Sequence, residues 1–121
     1  MINLEDNLKI LILEDSEVRV NKFKKKFSEH ELFITDNANQ AIEYLKEYKF
    51  GLICLDHDLG DKQMEWDEDN NGMMVVKYLN EYGTNGAKVV VHSLNTPRAQ
   101  IMVSIIPDAV FIPFYWLNYD N

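Results

Sequence analysis

A chain of 121 residues has room for one compact domain spanning 1–121, and with 46% hydrophobic residues it can build a core without metal or disulfide staples. Its one cysteine, Cys54, excludes an internal disulfide framework and a cysteine-based zinc site, which suits a reducing compartment and leads us to expect a cytoplasmic protein. A formal net charge of -8, from 20 acidic against 12 basic residues, disfavours long duplex nucleic acid, whose binding rewards a basic excess. No apolar run approaches the ~20 residues that span a bilayer, and no charged-then-apolar leader is present, so neither membrane insertion nor secretion is expected.

In chain order, Leu8 to Leu13 is an almost continuous apolar run, as expected of a strand covered on both faces, and it stops at Glu14-Asp15. Ser16 caps a helix with Val20, Phe23 and Phe27 on its apolar stripe, and Lys22, Lys24, Lys25 and Lys26 read as its solvated face. Leu32 to Thr35 is a second strand. Asn37 with Gln40 three residues on has capping-box spacing, and Ala38, Ala41, Ile42 and Leu45 share one helical stripe. Leu52 to Leu55 is a third strand with Cys54 in the core, ending in Asp56-His57-Asp58. From Gly60 to Asn71 the pattern turns polar and acidic, and the run 61–69 reads as a solvated loop or a lid. Met73, Val76, Tyr78 and Leu79 mark a third helix that Gly83 ends. Lys88 to Val91 is a fourth strand running into His92-Ser93. Thr96 before Pro97 signals a helix start, Ile101, Met102, Ile105 and Ile106 continue that helix, and Pro107 stops it. Ala109 to Ile112 is a fifth strand.

Five strand runs alternating with four helices predict an α/β fold. It is a flavodoxin-like three-layer sandwich with a five-stranded parallel sheet of order 2-1-3-4-5. Ligands in such a sheet bind beyond the carboxyl ends of the strands, near the switch point between strands 1 and 3. Glu14-Asp15, Asp56-His57-Asp58 and His92-Ser93 therefore converge at one sheet edge. There the helix start Asn95-Thr96-Pro97-Arg98 offers backbone N–H groups and a guanidinium to a phosphate.

Crowded carboxylates raise one another's pKa unless a cation relieves them, which predicts Mg²⁺ or another divalent ion on Asp15 and Asp56, with Glu14 as a further candidate. The alternative is that Glu14, Asp15 and Asp58 only cap turns. His57 and His92, at adjacent strand ends, are candidates for the base and the acid of phosphoryl transfer to water. His30, in a polar loop, reads as structural. Ser93 lacks the Gly-x-Ser-x-Gly setting of a nucleophile and is expected to hydrogen-bond an oxyanion or substrate.

With Glu14 and Asp15 after strand 1, Asp56 ending strand 3 and Ser93 ending strand 4, the chain resembles receiver domains, the phosphoacceptor modules of response regulators. It departs from them at Ile112-Pro113, where receivers carry a lysine before the proline. Residues Phe114 to Asn121 are also too short for a full fifth helix, which is therefore expected to be truncated or missing. Leu55-Asp56-His57-Asp58-Leu59-Gly60, Gly72 opening the third helix and Val91-His92-Ser93-Leu94-Asn95 are closer to the cyclic-phosphate-processing receiver domains of bacteria and phages.

That resemblance implies a hydrolytic pocket for cyclic or terminal phosphates of RNA or nucleotides. In it Asp56 and Asp15 hold a metal or orient water, His57 and His92 exchange protons, Asp58 orients a histidine, and Ser93, Asn95, Thr96 and Arg98 bind the phosphate. Two alternatives stand beside it: a signalling receiver phosphorylated on Asp56, and a protein that sequesters cyclic nucleotides without turnover. Phe114, Tyr115, Trp116 and Leu117 either fold back onto the sheet or form a homodimer contact.

Overall fold

The apolar runs become strands because each is covered from both sides. The computed structural model describes residues 7–59, 70–93 and 95–113. Its strands are β1 (Lys9–Leu13), β2 (Glu31–Thr35), β3 (Leu52–Leu55), β4 (Lys88–Val91) and β5 (Val110–Phe111). Between them run α1 (Glu17–Lys26), α2 (Ala38–Glu47), α3 (Gly72–Tyr82) and α4 (Thr96–Ile105). All neighbouring strands pair in parallel, and the order is β2-β1-β3-β4-β5, as expected from the alternation of strand and helix signals. Gly60, the acidic run 61–69, Leu94 and the aromatic segment 114–117 lie outside the described residues, as does the expectation of a shortened fifth helix.

The pleat divides the core in two. Leu11, Leu13, Ile53, Leu55, Val89 and Val91 face α2, α3 and α4, burying against Ala38, Ala41, Val75, Val76, Leu79, Ala99 and Met102. Ile10, Ile12, Leu52, Cys54 and Val90 face the other way, onto Phe23 and Phe27 of α1. Cys54 is fully buried, and His30 accepts the Leu8 N–H at 3.1 Å, a structural role at the start of β1.

The helix starts follow their caps. Ser16 Oγ accepts the Arg19 N–H, Asn37 Oδ1 the Gln40 N–H, and Asn71 Oδ1 the N–H groups of Met73 and Met74. Gly83, at φ +88°, closes α3 in a conformation only glycine adopts freely. One start differs from expectation: Asn95, not Thr96, caps α4, accepting the Arg98 N–H at 3.3 Å. Asparagine is the stronger cap, and Ser93 Oγ fixes it by accepting the Asn95 N–H at 3.0 Å. Thr96 thus becomes the first helical residue and Pro97 the second.

Candidate active site at the strand ends

Strand register builds the centre of the site. Leu13 pairs with Leu55, and Leu55 with Val91, so β1, β3 and β4 end at one level. Each ladder continues one residue further: the Asp56 N–H donates to Leu13 O at 3.1 Å and the His92 N–H to Leu55 O at 2.9 Å. Glu14, Asp56 and His92 therefore emerge side by side. They share strand parity with Ile12, Cys54 and Val90, so the pleat directs all three toward the α1 side of the sheet, where the Phe23 ring meets His92 edge-on at 5.0 Å.

Glu14 is the hub. Its side chain has no exposed surface, and its two oxygens accept five donors. Oε1 takes Arg19 Nε and His92 Nε2, each at 2.9 Å, and Oε2 takes Arg19 Nη2 at 3.0 Å and the backbone N–H groups of Asp15 and Ser16 at 3.0 and 2.9 Å. Burial alone would push the Glu14 carboxyl up. The hydrogen bonds from His92 and Arg19, with the His92 charge and the Ser16 N–H, outweigh it and bring its pKa down to about 2.

The Arg19 Nη2 also lies 3.5 Å from Asp56 Oδ2 and 4.0 Å from Asp15 Oδ1. Its hydrogen bond to Glu14 holds the guanidinium above its ordinary pKa. Asp56 is 3% exposed, and burial raises its carboxyl, with the Glu14 charge adding to the rise and His92, Arg19 and a Ser93 hydrogen bond opposing it. Because an ionised carboxylate only accepts, His92 Nε2 must carry a proton, and Nδ1 is buried without a hydrogen-bond partner among the described residues.

Arg19 was not among the expected site residues, since it precedes the four lysines that read as the solvated face of the same helix. The missed signal is spacing: Arg19, Phe23 and Phe27 recur at i, i+4 and i+8, which places Arg19 on the buried stripe of α1. Lys22, Lys24 and Lys25 do face solvent, while Lys26 is half-buried, its Nζ lying 6.0 Å from the centre of the Phe27 ring.

A second, more exposed group of contacts follows directly after Asp56 in the chain. His57 Nδ1 donates to Asp58 Oδ1 at 2.6 Å, and Asn95 Nδ2 reaches both Asp58 oxygens at 3.4 Å. Asp58 bridges Asn71, and the Gly72 N–H donates to His57 O at 3.0 Å. This close approach explains Gly72. A Cβ there would stand 2.0 Å from the Asp56 carbonyl oxygen and 2.8 Å from the Met102 methyl.

The two histidines thus stand in different settings: His57 is partly exposed, whereas the His92 side chain has no accessible surface. Ser93, expected to contact substrate, is itself buried, donating to Asp56 and accepting from Asn95. Thr96 and Arg98 are exposed on the first turn of α4. Pro97 has no N–H and the Arg98 N–H is taken by Asn95, so that turn offers a ligand the Thr96 N–H, the Thr96 hydroxyl and the Arg98 side chain.

Among the described residues, one set of His, Cys, Asp and Glu places its donor atoms within 4.8 Å of one another: Glu14, Asp56 and His92. Two of the three expected candidates, Asp56 and Glu14, belong to this set, with His92 standing in place of Asp15. The set does not suit a hard divalent ion, since the lone pairs of Glu14 are filled by five donors and His92 Nε2 is committed as a donor.

Residues 9–108 match the family model described as the cyclic-phosphate processing receiver domain. No curated protein sequence gives a significant match. Among solved structures the chain is similar to the Mn²⁺-bound response regulator Rcp1, at TM-score 0.70 and 16% identity, covering 93% of this chain and 90% of that one. It is also similar to a CheY-like receiver domain protein from Methanospirillum hungatei, at TM-score 0.67 and 17% identity over 87% and 80% of the two chains. A third similar structure, the Francisella response regulator 1452 receiver domain, gives TM-score 0.68 and 18% identity over 93% and 92%. At these identities the likeness is one of fold.

Proposed function

The chain belongs to the cyclic-phosphate processing receiver domain family, and from that premise we propose that its strand-end pocket binds a cyclic or terminal phosphate of RNA or a nucleotide and hydrolyses the ester, with His57 as the proton-transfer group. The observation that carries this reading is the chain of contacts from His57 through Asp58 to Asn95, the residue that also caps α4. Asp58 holds the His57 Nδ1–H, which makes Nε2 the basic atom of the neutral ring. Asn95 then ties that ring to the helix turn where Thr96 and Arg98 receive the phosphate.

In the proposed step, water attacks phosphorus, and His57 Nε2 takes the proton that water loses. The bond from phosphorus to the 2′ or 3′ oxygen breaks, and that oxygen leaves with the proton that His57 returns. Arg98 and the α4 N-terminus meet the charge developing on the phosphoryl oxygens. Asp56, held by Ser93 and Arg19, orients the water. His92, buried against Glu14 and Phe23, keeps Glu14 in place and acts as a positioning residue. No step is assigned to a divalent ion.

The test is incubation with an RNA oligonucleotide ending in a 2′,3′-cyclic phosphate, with product analysis with and without EDTA. Conversion to a monophosphate end that Arg98→Ala slows at least about tenfold supports the reading. Substrate retained unchanged by the protein would replace it with sequestration. Base-labile phosphorylation of Asp56 by a small phosphodonor would replace it with a phosphoacceptor.

A further inference from the structure

The Arg19 Nη2 sits 3.0 Å from Glu14 Oε2, 3.5 Å from Asp56 Oδ2 and 4.0 Å from Asp15 Oδ1. One positively charged nitrogen thus stands among the three carboxylates that the strand ends bring together. We propose that Arg19 is the resident cation of this pocket and takes the place that a divalent ion would need, so that the site operates without Mg²⁺ or Mn²⁺. The proposal deepens the phosphate-processing reading but is tested independently of turnover.

Three features support it. Mg²⁺ requires free oxygens at about 2.0–2.1 Å in near-octahedral array, and the Glu14 oxygens are already saturated by five donors. An ion bound instead to Asp56 Oδ2 would lie within about 6 Å of the guanidinium, in a largely buried setting where repulsion between a divalent and a monovalent cation is weakly screened.

The third feature is that Arg19 cannot readily swing aside. Its backbone N–H is held by the Ser16 cap, it lies on the α1 stripe with Phe23 and Phe27, and its withdrawal would leave the fully buried Glu14 carboxylate with one cationic partner fewer. A guanidinium also keeps its charge at every accessible pH and grips a carboxylate through two parallel bonds, which lysine cannot do. On this account the fixed positive charge near Asp56 comes from α1, while the residue that follows β5 is the neutral Ile112.

The experiment is a Mn²⁺ titration of the full chain, following the free-ion resonance by electron paramagnetic resonance, for the parent, Arg19→Gln, and Arg19→Gln combined with Asp56→Asn. Circular dichroism checks folding. The parent is expected to take up no Mn²⁺ below about 1 mM, Arg19→Gln to bind at least about tenfold more tightly, and Asp56→Asn to abolish the gain. Binding by the parent below about 1 mM that Asp56→Asn removes would overturn the proposal. A folded Arg19→Gln protein with no gain would overturn it as well. Should Arg19→Gln not fold, the parent titrated against Asp56→Asn alone decides the question.

Discussion

Replacing Glu14 with glutamine tests the buried hub by imitating its protonated form. The fall of the Glu14 pKa from an ordinary 4.5 to about 2 means that folding favours the carboxylate over the acid by about 3 kcal/mol. Because the pKa is lower in the folded state, this contribution is fully present above pH 4.5 and is lost as pH falls toward 2. Asp56 acts with the opposite sign. Its carboxyl is raised by burial, so its ionisation costs stability, and that cost is relieved as pH falls from its folded value toward 3.8.

Glu14→Gln also removes the Glu14 charge that helps to raise Asp56, which makes Asp56 easier to ionise in the variant and offsets part of the loss. Urea unfolding followed by circular dichroism should show Glu14→Gln less stable by up to about 3 kcal/mol at pH 7, with the gap shrinking below pH 4.5. That loss is a large share of a typical domain stability of about 5–15 kcal/mol. A gap under about 1 kcal/mol at pH 7, as for an exposed ion pair, or one that does not change with pH, would show that Glu14 is not held as a buried carboxylate hub.

Other expectations concern the supports of the site. Gly72→Ala forces a Cβ against the Asp56 carbonyl and should cost about 3 kcal/mol in urea unfolding, where a helix-interior glycine would gain from the same change. Asn95→Ala removes the α4 cap and should cost about 1 kcal/mol, while also weakening binding of a nucleoside cyclic phosphate by calorimetry through the loss of its hold on Asp58. Burial pushes the Cys54 thiol up to about 12, so a disulfide reagent should label it only after denaturation.

The sequence carried the framework further than the site. β3 and β4 end where their apolar runs end, because buried parallel strands need apolar side chains on both faces. The α4 start differs by one residue because Asn95 and Thr96 are both acceptable caps and the neighbouring Ser93 hydroxyl decides between them. At the site, convergence of Glu14, Asp56 and His92 follows from topology, but their burial follows from pleat parity, which a list of strand-end residues does not convey. Arg19 escaped notice because charge composition hid its place on the Phe23 and Phe27 stripe. The filling of Glu14 by five donors depends on the loop at Asp15 and Ser16 folding back over it, which no local pattern announces.

Phosphorus NMR of a nucleoside 2′,3′-cyclic monophosphate, followed over time with the parent and with His57→Ala in EDTA, reads metal-free hydrolysis and its dependence on His57 in one experiment. The cyclic resonance should give way to that of a monoester with the parent and persist with His57→Ala. Equal conversion by both proteins would contradict the role of His57 in proton transfer.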